Sequence, residues 1–144
     1  RMEKGYLHWG HDISPEENPY EANLGFTVKL NKKYDFIGKA KLQEVKDTPK
    51  KQFVMLTLVD SKPGEPLLLH DEPIYLNNKI VGETTSGNFS FCYNKNIAFG
   101  YINSNIDKNN IKKNFFEIEV AKNKYKAHLE LEPLHDPKNI LIKS

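Results

Sequence analysis

Phe116-Glu117-Ile118-Glu119-Val120 and Tyr125-Lys126-Ala127-His128-Leu129-Glu130-Leu131-Glu132, joined by Lys122-Asn123-Lys124, carry the clearest pattern in the chain. Apolar and charged side chains alternate through both runs. Successive side chains of an extended backbone point to opposite faces, so each run has one face for a core and one for solvent. The two runs predict a pair of antiparallel strands, with glutamates opposite lysines near the turn adding modest cross-strand support.

The same reading extends upstream. Phe53-Val54-Met55-Leu56-Thr57-Leu58-Val59 is a β-rich run closed by Asp60-Ser61-Lys62-Pro63-Gly64, whose Pro-Gly pair marks a loop. Ile74-Tyr75-Leu76 and Lys79-Ile80-Val81-Gly82 flank Asn77-Asn78, and asparagine tolerates the positive φ that a tight hairpin turn needs. Short antiparallel strands separated by turn formers imply a small barrel or sandwich.

Before residue 51 the texture differs. Arg1 to Leu30 sets Tyr6, Trp9, Tyr20 and Phe26 among Gly and Pro breakers, which predicts ordered loops with short elements, a docking segment that needs partners. Asp12-Ile13-Ser14-Pro15-Glu16-Glu17 has the chemistry of a helix cap or tight turn, and Pro19-Tyr20-Glu21-Ala22 is placed to start a short helix. Phe26, Val28 and Leu30 alternate with Thr27 and Lys29, predicting a strand over Gly25 to Leu30 that Asn31-Lys32-Lys33 breaks. Ile37, Ala40, Lys41, Leu42 and Val45 recur at helical spacing, predicting a short helix that Thr48-Pro49 ends and that links two modules.

A chain of 144 residues has room for one domain with a core plus an appendage. With 38% hydrophobic and 28% charged residues it is not compositionally disordered. Its net charge of +2 is scattered and forms no stripe that would track a phosphate backbone, so nucleic acid is not a favoured partner. No apolar run approaches the roughly 20 residues a membrane span needs, and no signal pattern opens the chain. Cys92 is the only cysteine, which excludes an intrachain disulfide and a Cys-rich metal site and fits a reducing compartment. The chain opens at Arg1, directly in a dense segment, as a cut inside a larger protein would.

The candidate chemistry is sparse. His8 and His11 sit three apart beside Asp12, but Gly10 separates them and no further cluster follows, so no metal site is expected. Cys92 lies in Phe89-Ser90-Phe91-Cys92-Tyr93, where a thiol packs as a small hydrophobe, and no local basic neighbour would make it a nucleophile. Gly82-Glu83-Thr84-Thr85-Ser86-Gly87 lacks the Lys-Ser/Thr ending of a phosphate loop and is read first as a strand-connecting turn. The aromatics of the first segment have two open readings, core packing or stacking on a flat heterocycle.

Five motifs carry a family resemblance over essentially the whole chain. Arg1-Met2-Glu3-Lys4-Gly5-Tyr6-Leu7-His8-Trp9-Gly10-His11-Asp12 is followed by Asn18-Pro19-Tyr20-Glu21-Ala22-Asn23-Leu24-Gly25-Phe26 and Asp35-Phe36-Ile37-Gly38-Lys39. Then come Gly82-Glu83-Thr84-Thr85-Ser86-Gly87 and Asn96-Ile97-Ala98-Phe99-Gly100-Tyr101-Ile102. In order and spacing these resemble the glycine-cleavage T-protein superfamily. The Glu-Lys-Gly-Tyr and His-Trp-Gly wording, with His128-Leu129 and Leu134-His135-Asp136-Pro137-Lys138-Asn139, resembles its dimethylglycine and sarcosine dehydrogenases more than the free-standing T-protein.

The resemblance implies a mainly β fold with minor α: residues 1–50 as the tail of a folate-binding domain, residues 51–144 as a C-terminal antiparallel barrel of jelly-roll type. It implies a parent enzyme in which a flavin domain, with FAD, oxidises an N-methyl group of a methylamine substrate. The folate portion then captures the one-carbon unit on tetrahydrofolate. The position the family places beside the pterin falls on Phe26, where Tyr or Trp is common, and Trp9 stands where the T-protein usually has Tyr, lining the same channel. Asn23 replaces a frequent Gly and is expected to take positive φ. The family's catalytic Asp and pterin-binding Glu would lie before Arg1, so no catalytic residue is expected here. The partners implied are the remainder of the parent chain and folate, in a bacterial cytoplasm or a mitochondrial matrix. The alternatives are an ordinary aminomethyltransferase or a non-catalytic regulatory or structural relative.

Overall fold

The computed structural model describes residues 1–107, 111 and 114–143, so the expected second unit's last residue, Ser144, lies outside the described residues. Six strands, β1 (Lys51–Leu58), β2 (Pro73–Leu76), β3 (Lys79–Ser90), β4 (Lys95–Asn103), β5 (Phe116–Val120) and β6 (Asn123–Glu130), close into a barrel. The order around it is β1-β4-β3-β2-β5-β6, every neighbouring pair antiparallel. One helix, α1 (Lys39–Val45), and short 3-10 turns complete the described elements.

The alternation that predicts the last two strands sets their register. Phe116 faces Ala127 and Ile118 faces Tyr125, while Glu117 and Glu119 stand opposite Lys126 and Lys124. Phe116, Ile118, Ala127 and Leu129 are buried inside the barrel with Val54, Leu56, Leu58 and Ile74. Their charged neighbours stay outside. The turn differs from the expected Lys122-Asn123-Lys124: Val120 pairs with Asn123, leaving a two-residue turn of Ala121 and Lys122, both at positive φ. Asn77 and Asn78 make the other hairpin turn at φ 51 and 61, as expected of asparagine there.

β1 and β4 are buried on both faces. Their inward residues include Val54, Leu56, Ala98 and Ile102, and a second cluster outside the barrel wall holds Phe53, Met55, Ile97, Phe99 and Tyr101 under Met2. Both strands accordingly read as near-continuous apolar runs, the pattern of a strand covered on two sides.

Five further expectations are corrected. Gly25 to Leu30 is not a strand but a 3-10 turn, Gly25–Thr27, leading into further turns. No strand among the described residues pairs with it, and Phe26 is exposed where an alternating strand would have buried it. Pro19-Tyr20-Glu21-Ala22 forms turns, not a helix. Gly82 to Gly87 is not a turn but the middle of β3, with a register shift between Thr84 and Ser86. Cys92 is exposed in the turn after β3, outside the core. The linking helix starts at Lys39, not Ile37, because Gly38 sits at its N-cap with φ 86.

Gly82 allows β3 and β4 to approach. A Cβ there would lie 1.9 Å from the Tyr101 carbonyl oxygen, a backbone atom held in the ladder. Gly82→Ala is therefore expected to lower stability by about 3 kcal/mol or more, since overpacking of this kind must shift a strand. An unchanged urea midpoint would show that the strands can separate at little cost.

Candidate functional site

The N-terminal segment docks on the outer face of β1 and β4, where β1 lacks a partner. β6 pairs with β1 only from Met55 onward, leaving the Phe53 backbone groups open. The segment takes both: the Phe53 N–H donates to the Glu21 carbonyl at 2.8 Å, and the Asn23 side-chain amide donates to the Phe53 carbonyl at 3.0 Å. Asn23 does this at φ 57, the conformation expected of it. Edge groups that would otherwise invite strand addition are thereby satisfied.

Asp12 is the hub of the docking. Its carboxylate is fully buried and accepts from four donors. Arg1 Nη1 and the His8 N–H reach Oδ2 at 2.7 and 2.8 Å, and Thr85 and Ser86 hydroxyls reach Oδ1 at 2.7 and 2.6 Å. Arg1 Nη2 also donates to the Ser86 hydroxyl, and the Tyr101 hydroxyl donates to the Asp12 carbonyl. A buried carboxylate persists only with such compensation. Burial, and next the Glu17, Asp12 and Glu21 charges, push the Tyr101 phenol well above its ordinary range, so it serves as a neutral donor.

Glu17 pins the segment farther along. It pairs with Lys51 and accepts from the Ser14 N–H and hydroxyl. Burial alone would raise the Glu17 carboxyl, but these donors outweigh it and hold it below its ordinary 4.5. On the other side, the C-terminal strap after β6 closes over the start of the chain. Lys4 bonds Asp136 at 3.1 Å and Asn139 at 2.9 Å, and the His135 N–H donates to the Glu3 carbonyl.

Two cavities result. One, of about 520 Å³, is lined by Arg1, His8, His11, His70, Ser86 and Phe91 among others. His8 and His11 stack with ring centroids 4.7 Å apart, and the described residues form no group of three or more potential metal ligands. Cys92 sits near Glu3, whose hydrogen bond and charge push the thiol up, so it is a protonated surface thiol. The other cavity, of about 330 Å³, lies between the segment and the strap. Its wall includes Phe53, Val54, Met55 and Leu24; Lys4, Asn23, Glu130, Glu132 and Asn139 supply polar groups, and Phe26 stands at its lip, 73% exposed. Trp9, 67% exposed, lines neither cavity, so Phe26 and Trp9 are not brought together.

Sequence reasoning did not find Asp12, Glu21, Thr85 or Ser86 as a connected set. The one available signal was the hydroxyl cluster of the Gly82-to-Gly87 stretch, and its strand context hid it.

A closed antiparallel barrel whose outer wall is a docking face for a preceding segment defines the class. Residues 51–136 match the glycine cleavage T-protein C-terminal barrel domain, and residues 1–32 match the GCVT N-terminal domain. The chain belongs to the glycine cleavage T-protein C-terminal barrel family. It is 38% identical over 136 residues to the mitochondrial dimethylglycine dehydrogenase of Homo sapiens, covering 93% of this chain and 15% of that protein. Mitochondrial sarcosine dehydrogenase of Mus musculus is 32% identical over 147 residues, covering 99% and 16%. An aminomethyltransferase of Symbiobacterium thermophilum is 41% identical over 95 residues, covering 65% and 24%. The fold is that of the glycine cleavage system aminomethyltransferase T from Bartonella henselae, with a TM-score of 0.80 at 23% identity over 95% of this chain and 37% of that one. The chain thus spans about one sixth of the length of the dehydrogenases it matches. No helix among the described residues is long and apolar enough to cross a membrane.

Two outcomes follow from the docking. Asp12→Ala leaves the partly exposed Arg1 guanidinium, two hydroxyls and a backbone N–H without their acceptor, and is expected to lower stability by about 3 kcal/mol in urea titration; a loss under about 1 kcal/mol would remove Asp12 as the hub. Because the Glu17 pKa is depressed in the folded state, its stabilisation is present above its ordinary 4.5 and is lost as pH falls through the folded value. The stability advantage of the native protein over Glu17→Gln should therefore shrink on acidification below 4.5, and a constant difference would contradict the linkage.

Proposed function

We propose that this chain is the folate-side, C-terminal part of a flavin-dependent demethylating dehydrogenase of the dimethylglycine or sarcosine type. Residues 1–50 form the tail of the folate-binding domain and residues 51–144 its barrel. The observation that carries the reading is the reach of the sequence similarity. It covers 93–99% of this chain in the dehydrogenases and 65–75% in the aminomethyltransferases, while the 41% identity to one of these and the 95% of this chain that shares the fold of another favour a T-protein as the second reading.

In this reading tetrahydrofolate accepts the one-carbon unit, while FAD and the methylamine are bound by the rest of the protein. The cleft between segment and strap fits a flat polar heterocycle: an apolar wall for one face, an exposed Phe26 ring for stacking, and carboxylates and amides to accept and donate around the rim. Phe26 supplies area without the hydroxyl a Tyr would add. Trp9 lies outside that cleft, an exposed ring that would line the wider channel formed with the rest of the protein. The chain's own residues bind and orient; they supply no acid or base for the chemistry.

Calorimetry on the full-length protein tests this. Tetrahydrofolate should bind, and Phe26→Ala should weaken binding about tenfold, the loss of roughly 1.4 kcal/mol of stacking, while Phe26→Tyr retains it. Absence of binding by the native full-length protein would overturn the folate role.

A further inference from the structure

The strap after β6 forms one wall of the cleft through Pro133, Pro137 and Asn139. Its root is anchored. Pro133 lies against Gly5, the Tyr93 hydroxyl donates to the Leu134 carbonyl at 2.8 Å, and the His135 N–H donates to the Glu3 carbonyl at 2.9 Å. Beyond His135 the hold changes. None of residues 137–143 is buried, and Ile140 and Ile142 are 65% and 63% exposed, so apolar burial contributes little to keeping them in place. The hydrogen bonds that tie residues 136–140 to the rest of the described chain all come from one side chain. Lys4 Nζ donates to the Asp136 carbonyl at 3.0 Å, to its carboxylate at 3.1 Å and to the Asn139 side-chain oxygen at 2.9 Å. These use all three ammonium donors. The ion pair is shielded, with the Asp136 side chain 5% and the Lys4 side chain 17% exposed, so solvent ions screen it little. The other bonds of these residues are internal: the Asn139 N–H donates to the Asp136 carbonyl and the Ile140 N–H to the Asp136 carboxylate. Residues 136–140 are thus a compact turn that can move as one piece.

We infer that this turn is a latched lid on the cleft: it swings out about its root at residues 133–135 to admit a ligand, and the Lys4 ammonium is the latch that holds it closed. The purpose of the lid rests on the reading that the cleft takes a ligand of the folate type. The other walls are fixed. Met55 in the floor belongs to β1 and pairs with Phe99 on one side and Glu130 on the other, and the N-terminal segment is tied to β1 by Asn23 and to β3 by Asp12. Only the strap side is held by a single residue, so it is the wall that opens at the least cost. With the strap closed the cleft measures about 330 Å³, near the bottom of the roughly 300–1,000 Å³ range of sites that enclose a drug-sized molecule, so a ligand with a ring and a tail gains room when the strap lifts.

Peroxide oxidation of the ligand-free, full-length protein, read by peptide mass, tests the latch. The Met55 thioether lies in the cleft floor, 3% exposed, and peroxide reaches it when the lid is open. Lys4→Leu should speed Met55 sulfoxide formation about tenfold, the loss of charge-assisted bonds to the turn. Asp136→Asn, which keeps the shape of the turn, should speed it less, and Lys4→Arg, which keeps the charge, should stay near the native rate. Amide exchange in β1 and β4 should be the same in every variant. A native Met55 rate in Lys4→Leu, or a faster one matched by equally faster exchange in β1 and β4, would overturn the lid. An equal rise in Lys4→Arg would assign the effect to packing and overturn the latch. In stopped flow with tetrahydrofolate, Lys4→Leu should associate and dissociate faster by similar factors, as a gate requires; faster dissociation alone would mark the strap as a fixed wall and overturn the lid. A native protein that binds no tetrahydrofolate overturns the folate role and leaves the ligand-free Met55 rates to decide the lid.

Discussion

The architecture depends on the outer face of β1 and β4 being covered. Phe53, Met55, Ile97, Phe99 and Tyr101 point away from the barrel interior yet are buried, and Phe53 packs edge-on against both Phe99 and Tyr101. A barrel wall with five large apolar residues on its solvent side would aggregate or recruit a partner. The chain resolves this internally, laying its first two dozen residues and its C-terminal strap over that wall. The covering segments are loops, which carry backbone polar groups, so their attachment must be polar as well as apolar. Asp12 and Glu17 meet that need, each carboxylate gathering donors from both the segment and the barrel, and Glu21 accepts from the Asn18 and Lys50 N–H groups at the entry to β1.

The site follows from this covering. Because segment and strap approach from opposite sides and are clamped together by Lys4 with Asp136 and Asn139, a cleft remains between them with barrel residues at its base. Its walls come from three parts of the chain distant in sequence, held by a rigid β floor. That arrangement leaves a shaped cleft with Lys4, Asn23, Glu130, Glu132 and Asn139 among its polar groups. Cys92, the one cysteine, stands outside that cleft, and the hydrogen bond and charge of Glu3 push its thiol up.

How far the fold is legible in the sequence varies by region for physical reasons. Strict alternation in Phe116 to Leu129 identifies strands because one face of each is solvent, and Asn77-Asn78 identifies a turn because few residues accept positive φ. The same logic misreads Gly25 to Leu30. There alternation occurs in a loop with no neighbouring strand to supply hydrogen bonds, and a two-residue period over so short a stretch arises without a sheet. It also misplaces the Ala121-Lys122 turn, since Ala and Lys lack the usual preference for the left-handed region. Gly82 to Gly87 looks like a turn because its glycines are read as flexibility, whereas Gly82 serves the close approach of β4 and Gly87 that of the loop at Leu68.

The sequence by itself determined the class of the molecule: a β barrel from residue 51, a differently textured segment before it, and motifs that place both in one family. Those features are local, or repeat at fixed spacing, and so are visible along one dimension. Only the tertiary structure decided which polar residues act together. Asp12 meets Thr85 and Ser86 across more than seventy positions, and Lys4 meets Asp136 across more than one hundred and thirty. It likewise decided that Phe26 faces a cleft and Trp9 does not. Such pairings depend on strand register and on how the covering loops settle, and neither leaves a periodic trace in the order of residues.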